Sequence, residues 1–594
     1  MHPLNEANDW VWWRDGVLYQ VYPRSFADSD GDGMGDLRGI TSRLDYLEWL
    51  GVDGVWLNPT FPSPDEDWGF DVSDYRSVHP DLGTLDDLDE LLARVHELGM
   101  HVLLDLVPNH TSRRHPWFQA SRAARDDGGR DFYVWRDPKA DGSPPNNWQS
   151  LCGGPAWELD EARGQYYLHN FFAWMPDLNW WNPGVRDEFD DILRFWFDRG
   201  VAGFRIDVAH GIVKDRELRD NPVATPDDHR DWRRLGQRPE YSLNRPEAHD
   251  VLKRWRTLCD RYDEPRVLVG ETWVYDLERL ASFYGTDGDE LHLAFNVVFM
   301  MARFDAAQLA STVARTEALI PPDAWPMWTL SNHDLSRYPT RWAQGDPRRV
   351  RCALMLLLTL RGTPVLYYGD ELGMPDTDVA AERRRDPPAW PGPGRDRART
   401  PMPWSAATGG GFTTPEARPW LPFGDLAAVN VGDQRDDPDS VLRLCRDLIT
   451  LRRRDDDLRT GAYRQLEAPD GAWAFGRGAR ATIVLNLSDA SIRVTGPEGA
   501  IQVGTNRARD GERVAGMLPL QPWEGAVILL DCQRTAPGSA PPASSARAGG
   551  GGLPPRPNGP IFFHSESAFG GTTSQISTPT ALSSRPLASP GRSP

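Results

Sequence analysis

From Val17 to Leu372 the chain alternates short, densely apolar runs with longer amphipathic stretches. VLYQVYPRSF (17–26), VDGVWLNP (52–59) and HVLLDLVPNH (101–110) read as strands. The last is almost continuously apolar, the pattern of a parallel strand buried on both faces. VAGFRIDVAH (201–210), RVLVGETW (266–273), HLAFNVVFM (292–300), WPMWTLSNHD (325–334) and TPVLYYGDEL (363–372) continue the series. Helical patterns separate them, among them 40–50 and 185–199, with a last one near 440–453. The clearest helix starts with Thr84 and Asp87 in capping-box spacing and stops at Gly99. Its apolar face is Leu85, Leu88, Leu91, Leu92, Val95 and Leu98. Eight strands, each followed by a helix, predict a closed parallel (β/α)8 TIM barrel, an α/β fold.

Two stretches break the rhythm. Residues 111–175 are rich in Gly, Pro, Trp and Asn and lack long periodic segments, which predicts an inserted B domain after the third strand. The catalytic barrel then falls into two parts, 1–110 and 176–460. Residues 461–533 turn to short alternating runs such as ATIVLNLS and GAVILLDC, the text of a C-terminal antiparallel β domain. Beyond them, 534–594 is dominated by Pro, Ser, Gly, Ala and Thr and reads as a disordered tail.

Composition narrows the partners. A net charge of −20 with no basic run argues against nucleic acid. The longest apolar run, Cys352–Leu360, is too short to span a bilayer, so no membrane partner is expected. The five cysteines are scattered and odd in number, which suggests reduced thiols, and the polar start is no secretory signal; a cytoplasmic protein is expected. The 25 tryptophans serve either as core filling or as stacking faces for sugar rings, and composition does not choose. Oligomeric state is not legible.

In such barrels the active site forms at the C-terminal ends of the strands. Four of those ends are polar: Asp105–Asn109–His110, Arg205–Asp207, Glu271, and Asn332–His333–Asp334. A single buried carboxylate is often structural, but three converging from different strands repel one another and call for a function. Arg205 and Asp207, two apart on one strand, share a face, so the guanidinium can hold Asp207 ionised as a nucleophile needs. Glu271, set beside two anions, is expected to keep a proton near neutrality and act as an acid. A nucleophilic carboxylate and an acid flanking one bond, about 5–5.5 Å apart, cleave glycosides with retention.

The motifs DLVPNH (105–110), GFRIDV (203–208), GETW (270–273) and SNHD (331–334), with MPDLN (175–179) and ARTPMPW (398–404), resemble the α-amylase superfamily of glycoside hydrolases (family 13). Within it, they resemble the α-glucosidase and oligo-1,6-glucosidase branch. They occur in family order and anchor roughly residues 12–532. The resemblance implies Asp207 as nucleophile, Glu271 as acid/base and Asp334 as transition-state stabiliser. It implies His110 and His333 as hydrogen-bonding partners of the same sugar ring. Asp67, partnered by Arg399, would meet the terminal hydroxyls and close the pocket, making the enzyme exo-acting. Phe70 stands where the branch usually has Tyr and would keep the stacking face while losing a hydroxyl.

The first loop, DSDGDGMGD, sets aspartates at alternate positions with glycines for a tight turn, a pattern that can wrap a hard cation. Gly39 stands where an EF-hand would have its Glu, so this is no EF-hand. The branch often carries a metal here, and structural Ca2+ is expected on Asp28, Asp30, Asp32, Met34 and Asp36, with no organic cofactor.

The expected substrates are small α-glucosides: maltose and malto-oligosaccharides first, isomaltose or sucrose as further candidates. Val208, next to the nucleophile, resembles α-1,6-cleaving relatives, whereas VAH and MPDLN resemble maltose-preferring bacterial enzymes; α-1,4 is favoured. If water is kept from the glucosyl-enzyme, the same chemistry makes a transglucosidase, or a sucrose or trehalose isomerase. A catalytically dead binding subunit is the non-enzymatic alternative, disfavoured because all three carboxylates are present.

Overall fold

The structure, a computed structural model, describes residues 10–124, 131–387 and 394–530. The tail at 534–594 and Cys532 lie outside the described residues. In chain order, β1 (Leu18–Val21), β2 (Gly54–Leu57) and β3 (His101–Leu106) lead into a small insert of β4 (Trp135–Arg136), β5 (Trp157–Asp160) and β6 (Gln165–Leu168). Then follow β7 (Gly203–Ile206), β8 (Val267–Gly270), β9 (Leu293–Ala294), β10 (Met327–Thr329) and β11 (Thr363–Tyr367).

The eight long-range strands form one parallel sheet in the order β10-β11-β1-β2-β3-β7-β8-β9. A parallel bridge between Phe295 and Met327 joins its two ends, so the sheet is a barrel. Its interior is packed by Leu18, Trp56, Leu103, Val267, Val269, Leu293, Met327 and Val365, with Trp12 and Trp325 beside them. The barrel is a filled core and has no pore.

The helix at Leu85–Glu97 is built as its sequence demands. Thr84 accepts from the Asp87 N–H while Asp87 accepts from the Thr84 N–H, a complete capping box, and Leu88, Leu91, Leu92 and Val95 are buried. The stretch at 40–50 divides into two short helices, Leu37–Thr41 and Leu44–Leu50. HLAFNVVFM is only partly strand: β9 stops at Ala294, and Asn296 caps a short helix, Val297–Met300, by accepting from the Phe299 N–H. A short apolar run suits a buried helix as well as a buried strand, and the Asn cap decides it.

The insert is a three-stranded antiparallel sheet in the order β4-β6-β5. At the C-terminal end, β12 (Tyr463–Leu466), β13 (Ala472–Arg477), β14 (Ala481–Asn486), β15 (Ile492–Gly504), β16 (Arg513–Leu520) and β17 (Gly525–Leu529) form one antiparallel sheet. Six tryptophans, Trp148, Trp180, Trp196, Trp255, Trp328 and Trp473, are fully buried, so much of the tryptophan content is core. Trp232 and Trp273, by contrast, line the pocket described next.

Candidate active site

A cavity of about 510 Å3 opens at the C-terminal ends of the barrel strands, within the usual size for a small-molecule site. It brings together Asp67, Phe70, His110, Asp207, Glu271, His333 and Asp334. Arg205 lies beneath it, fully buried, at the centre of the charge arrangement. Its Nη1 donates to Asp207 Oδ1 at 2.6 Å and to Asp105 Oδ1 at 3.1 Å, and its Nη2 lies 2.9 Å from Glu271 Oε2. One guanidinium therefore holds both candidate reacting carboxylates. Spacing along one strand accounts for the Arg205–Asp207 pair; Glu271, expected among anions alone, also has this cation against it.

Local backbone fixes the same pair. Val208 adopts a left-handed conformation (φ 47°), strained for a β-branched residue. Its N–H, turned by that conformation, donates to Glu271 Oε2 at 2.9 Å. Burial is the largest influence on Asp207 and pushes its carboxyl well above the usual range; Arg205 opposes this and Glu271 adds to it. Asp105, also buried, is raised to about 7 against the pull of Arg205.

The opposite wall carries Asp334. Arg399 Nη2 lies 3.2 Å and Arg395 Nη1 3.4 Å from Asp334 Oδ1. Burial pushes the Asp334 carboxyl up, but His333, Arg395 and Arg399 together outweigh it and hold the carboxyl well below its ordinary range. His333 is itself driven neutral by burial, so the lasting positive charge on Asp334 is that of the two arginines. His333 Nδ1 faces two amide donors, Gln20 Nε2 at 2.9 Å and Asn58 Nδ2 at 3.3 Å, which makes it an acceptor and leaves the proton on Nε2. That Nε2 is 3.1 Å from Asp334 Oδ2 but lacks hydrogen-bond alignment, so its proton is free to meet a ligand hydroxyl. Phe70 stacks on the His333 ring, centroids 5.0 Å apart and planes at 4°.

Asp67 departs from expectation. Its direct partner is Arg395, whose Nη2 donates to Asp67 Oδ1. Arg399 instead donates to the His333 carbonyl at 2.8 Å and to Asp334. Arg395 and Arg399 flank a one-turn 3-10 helix, Asp396–Ala398, which sets the two guanidiniums side by side. Arg395 lines the pocket without being marked by any motif: it lies just before the recognisable ARTPMPW stretch, and its four-residue spacing from Arg399 is the available signal. Asp386 orients it, accepting from Arg395 Nε at 2.7 Å.

His110 is held by Asn109 Nδ2 on Nδ1 (3.0 Å) and by the Phe70 carbonyl at Nε2 (3.2 Å). Burial, aided by Lys214, lowers its pKa to about 3, so it is neutral. Lys214 explains why MPDLN sits where it does. Its Nζ reaches Asn109 Oδ1 (2.5 Å) and Asp177 Oδ2 (2.8 Å), tying the end of β3 to the strand of chain leaving the insert.

In the first loop, Asp28, Asp30 and Asp36 each bring a carboxylate oxygen within 4.8 Å of one another. Asp32 and Met34 are not in that group: Asp32 Oδ1 accepts from the Met34 N–H at 2.7 Å, and the Met34 sulfur faces Arg24 Nη1 at 3.1 Å. Gly33 (φ 96°) lies so close to the Arg418 carbonyl that a Cβ would come within 2.1 Å of it. This turn requires glycine there.

A filled parallel barrel with paired carboxylates on one guanidinium and a second, arginine-held carboxylate opposite defines an enzyme built to break glycosidic bonds. Residues 20–461 match the family model described as "Alpha amylase, catalytic domain". The chain belongs to the α-amylase family and is a glycoside hydrolase of family 13. It is 41% identical over 499 residues to a "Probable alpha-glucosidase" of Rhizobium meliloti (strain 1021), spanning 80% of this chain and 90% of the relative. It is 36% identical over 570 residues to an "Oligo-1,6-glucosidase" of Heyndrickxia coagulans, spanning 88% and 99%. Among solved structures, the α-glucosyl transfer enzyme XgtA superposes with a TM-score of 0.81 at 40% identity, covering 88% of this chain and 99% of that one.

Proposed function

We propose that the protein is a retaining, exo-acting α-glucosidase that releases glucose from the non-reducing end of maltose and short malto-oligosaccharides. The observation that carries this is the shared Arg205 fork, which holds Asp207 and Glu271 on one side of a pocket whose far wall is Asp67–Arg395–Asp334. Asp207 attacks the anomeric carbon while Glu271 protonates the leaving oxygen; Glu271 then deprotonates the water that releases glucose. Asp334, kept ionised by two arginines, grips hydroxyls of the distorted ring and stabilises its developing positive charge. His333, neutral, offers its Nε2 proton to a hydroxyl of the same ring, while neutral His110, both of its nitrogens held by Asn109 and Phe70, lines the pocket beside it. The Asp67–Arg395 pair meets the terminal hydroxyls and shuts that end of the pocket, so only a chain end fits.

Glucose release from maltose against isomaltose, with Asp207→Asn as the blank, tests the reading. Preference for maltose is expected. Preference for isomaltose would move the assignment to oligo-1,6-glucosidase, and release above the blank from neither would sink hydrolysis. The second reading, transfer to a sugar acceptor, is favoured by the likeness to XgtA and would show as oligosaccharide products at high substrate concentration.

The cluster of Asp28, Asp30 and Asp36 supports a structural Ca2+, since alternating carboxylates around a tight glycine turn are the hard oxygen donors that ion takes. Calorimetry on chelated protein should show Ca2+ binding and a raised unfolding temperature; neither would be seen if the loop is merely an acidic turn. The free thiols Cys152, Cys259, Cys352 and Cys445 support a reducing, cytoplasmic setting.

A further inference from the structure

The mouth of the pocket carries positive charge that the cleavage chemistry does not use. A short helix, Arg230–Leu235, has no buried residue and lies across the opening, with Arg230, Asp231, Trp232 and Arg234 all facing the cavity. It is stapled to the loop after Glu271 through Tyr275. The His229 ring stacks on Tyr275 at 3.5 Å, Asp231 accepts from the Tyr275 hydroxyl, and Trp273 Nε1 donates to the same oxygen at 2.7 Å. The helix is therefore positioned relative to the acid/base carboxylate and is no free flap.

Every carboxylate in the cavity already has a partner. Asp67 has Arg395, Asp207 and Glu271 share Arg205, Asp334 has Arg395 and Arg399, and Asp231 has Tyr275. The two mouth arginines are held far more loosely. The one ion pair of Arg230 is a long contact, 3.9 Å to its chain neighbour Asp231, and its side chain is 66% exposed; the Arg234 side chain makes no hydrogen bond or ion pair among the described residues. Four residues apart on one helix face, they are neighbours in space. In a chain of net charge −20, the helix Arg230–Leu235 carries three arginines against one aspartate, and two of those arginines face the cavity.

We propose that Arg230 and Arg234 form an anion-recognising aglycone site, so that the preferred leaving group or acceptor bears a carboxylate or phosphate. This rests on the α-glucosidase reading above. The guanidinium forks suit bidentate contact with either anion, and Trp232 and Trp273 supply apolar faces for the ring that carries it. Two exposed ion pairs of ordinary strength support about a fivefold preference, screened by salt.

Calorimetry with phenyl 1-thio-α-D-glucopyranoside and its 4-carboxy and 4-phosphate derivatives tests this, because the sulfur linkage resists cleavage and the readout is binding alone. In the wild type at low salt, at least one anionic derivative should bind about fivefold more tightly than the parent. That advantage, taken as the ratio to the parent in the same protein, should disappear in the Arg230→Gln/Arg234→Gln variant and shrink in 1 M salt. The derivative bound more tightly names the anion. Equal binding of parent and anionic derivatives, or a preference that survives the double substitution, overturns the aglycone site while leaving the glucosidase reading intact. No binding of the parent overturns both.

Discussion

At the residue scale, the site turns on how one cation is shared. Arg205 could be read from sequence as the partner of Asp207, because residues two apart on a strand face the same way. That it also reaches Glu271 and Asp105 depends on the register of β3, β7 and β8, which no spacing within one strand discloses. The Asp67 pairing failed for a similar reason: motif position indicated Arg399, whereas the 3-10 turn at Asp396–Ala398 brings Arg395 to it. A nucleophile acts ionised, and burial raises the Asp207 carboxyl, so activity is lost as pH falls through that raised value. The acid limb of kcat/KM should therefore lie above the ordinary aspartate pKa of about 3.9. A limb below pH 4 would show that Arg205 fully offsets the burial.

At the element scale, the barrel strands were legible because their apolar runs are bracketed by polar ends, and the Thr84–Asp87 cap and the helix at Pro183–Asp198 follow from local rules. The short helix at Val297–Met300 was not, since four apolar residues carry no period. Nor did sequence show how the barrel helix Pro347–Thr359 ends. Its last carbonyls are met by two buried arginines from elsewhere: Arg477 of β13 donates to the Thr359 carbonyl at 2.5 Å, and Arg452 donates to Leu360 at 2.9 Å and Leu358 at 3.3 Å. Cations at a helix C-terminus satisfy orphan carbonyls and complement its dipole. Arg477→Ala strands the carbonyls of Thr359 and Gly461 and should lower unfolding free energy by about 3 kcal/mol, read from the denaturant midpoint, with KM for maltose unchanged. A loss under about 0.5 kcal/mol would mean that these contacts are replaced by water at no cost.

At the scale of the whole molecule, three pieces of chain far apart in sequence build one pocket: the barrel strand ends, the loop carrying Asp67 and Phe70, and the arm carrying Arg395 and Arg399. Lys214 ties the chain leaving the insert, at Asp177, to the end of β3, at Asn109. The architecture follows from periodicity because alternating strands and helices admit few closures. The pocket's closed end and its arginine-lined mouth do not, because they arise where loops meet. In the proposed mechanism glucose passes through a covalent bond to Asp207. Treating the enzyme with 5-fluoro-α-D-glucosyl fluoride and mapping the adduct by peptide mass spectrometry tests this. A fluoroglucosyl mass is expected on the peptide containing Asp207, and none in Asp207→Asn. Label on another carboxylate, or release of β-glucose as the first product from maltose with no adduct trapped, would contradict it.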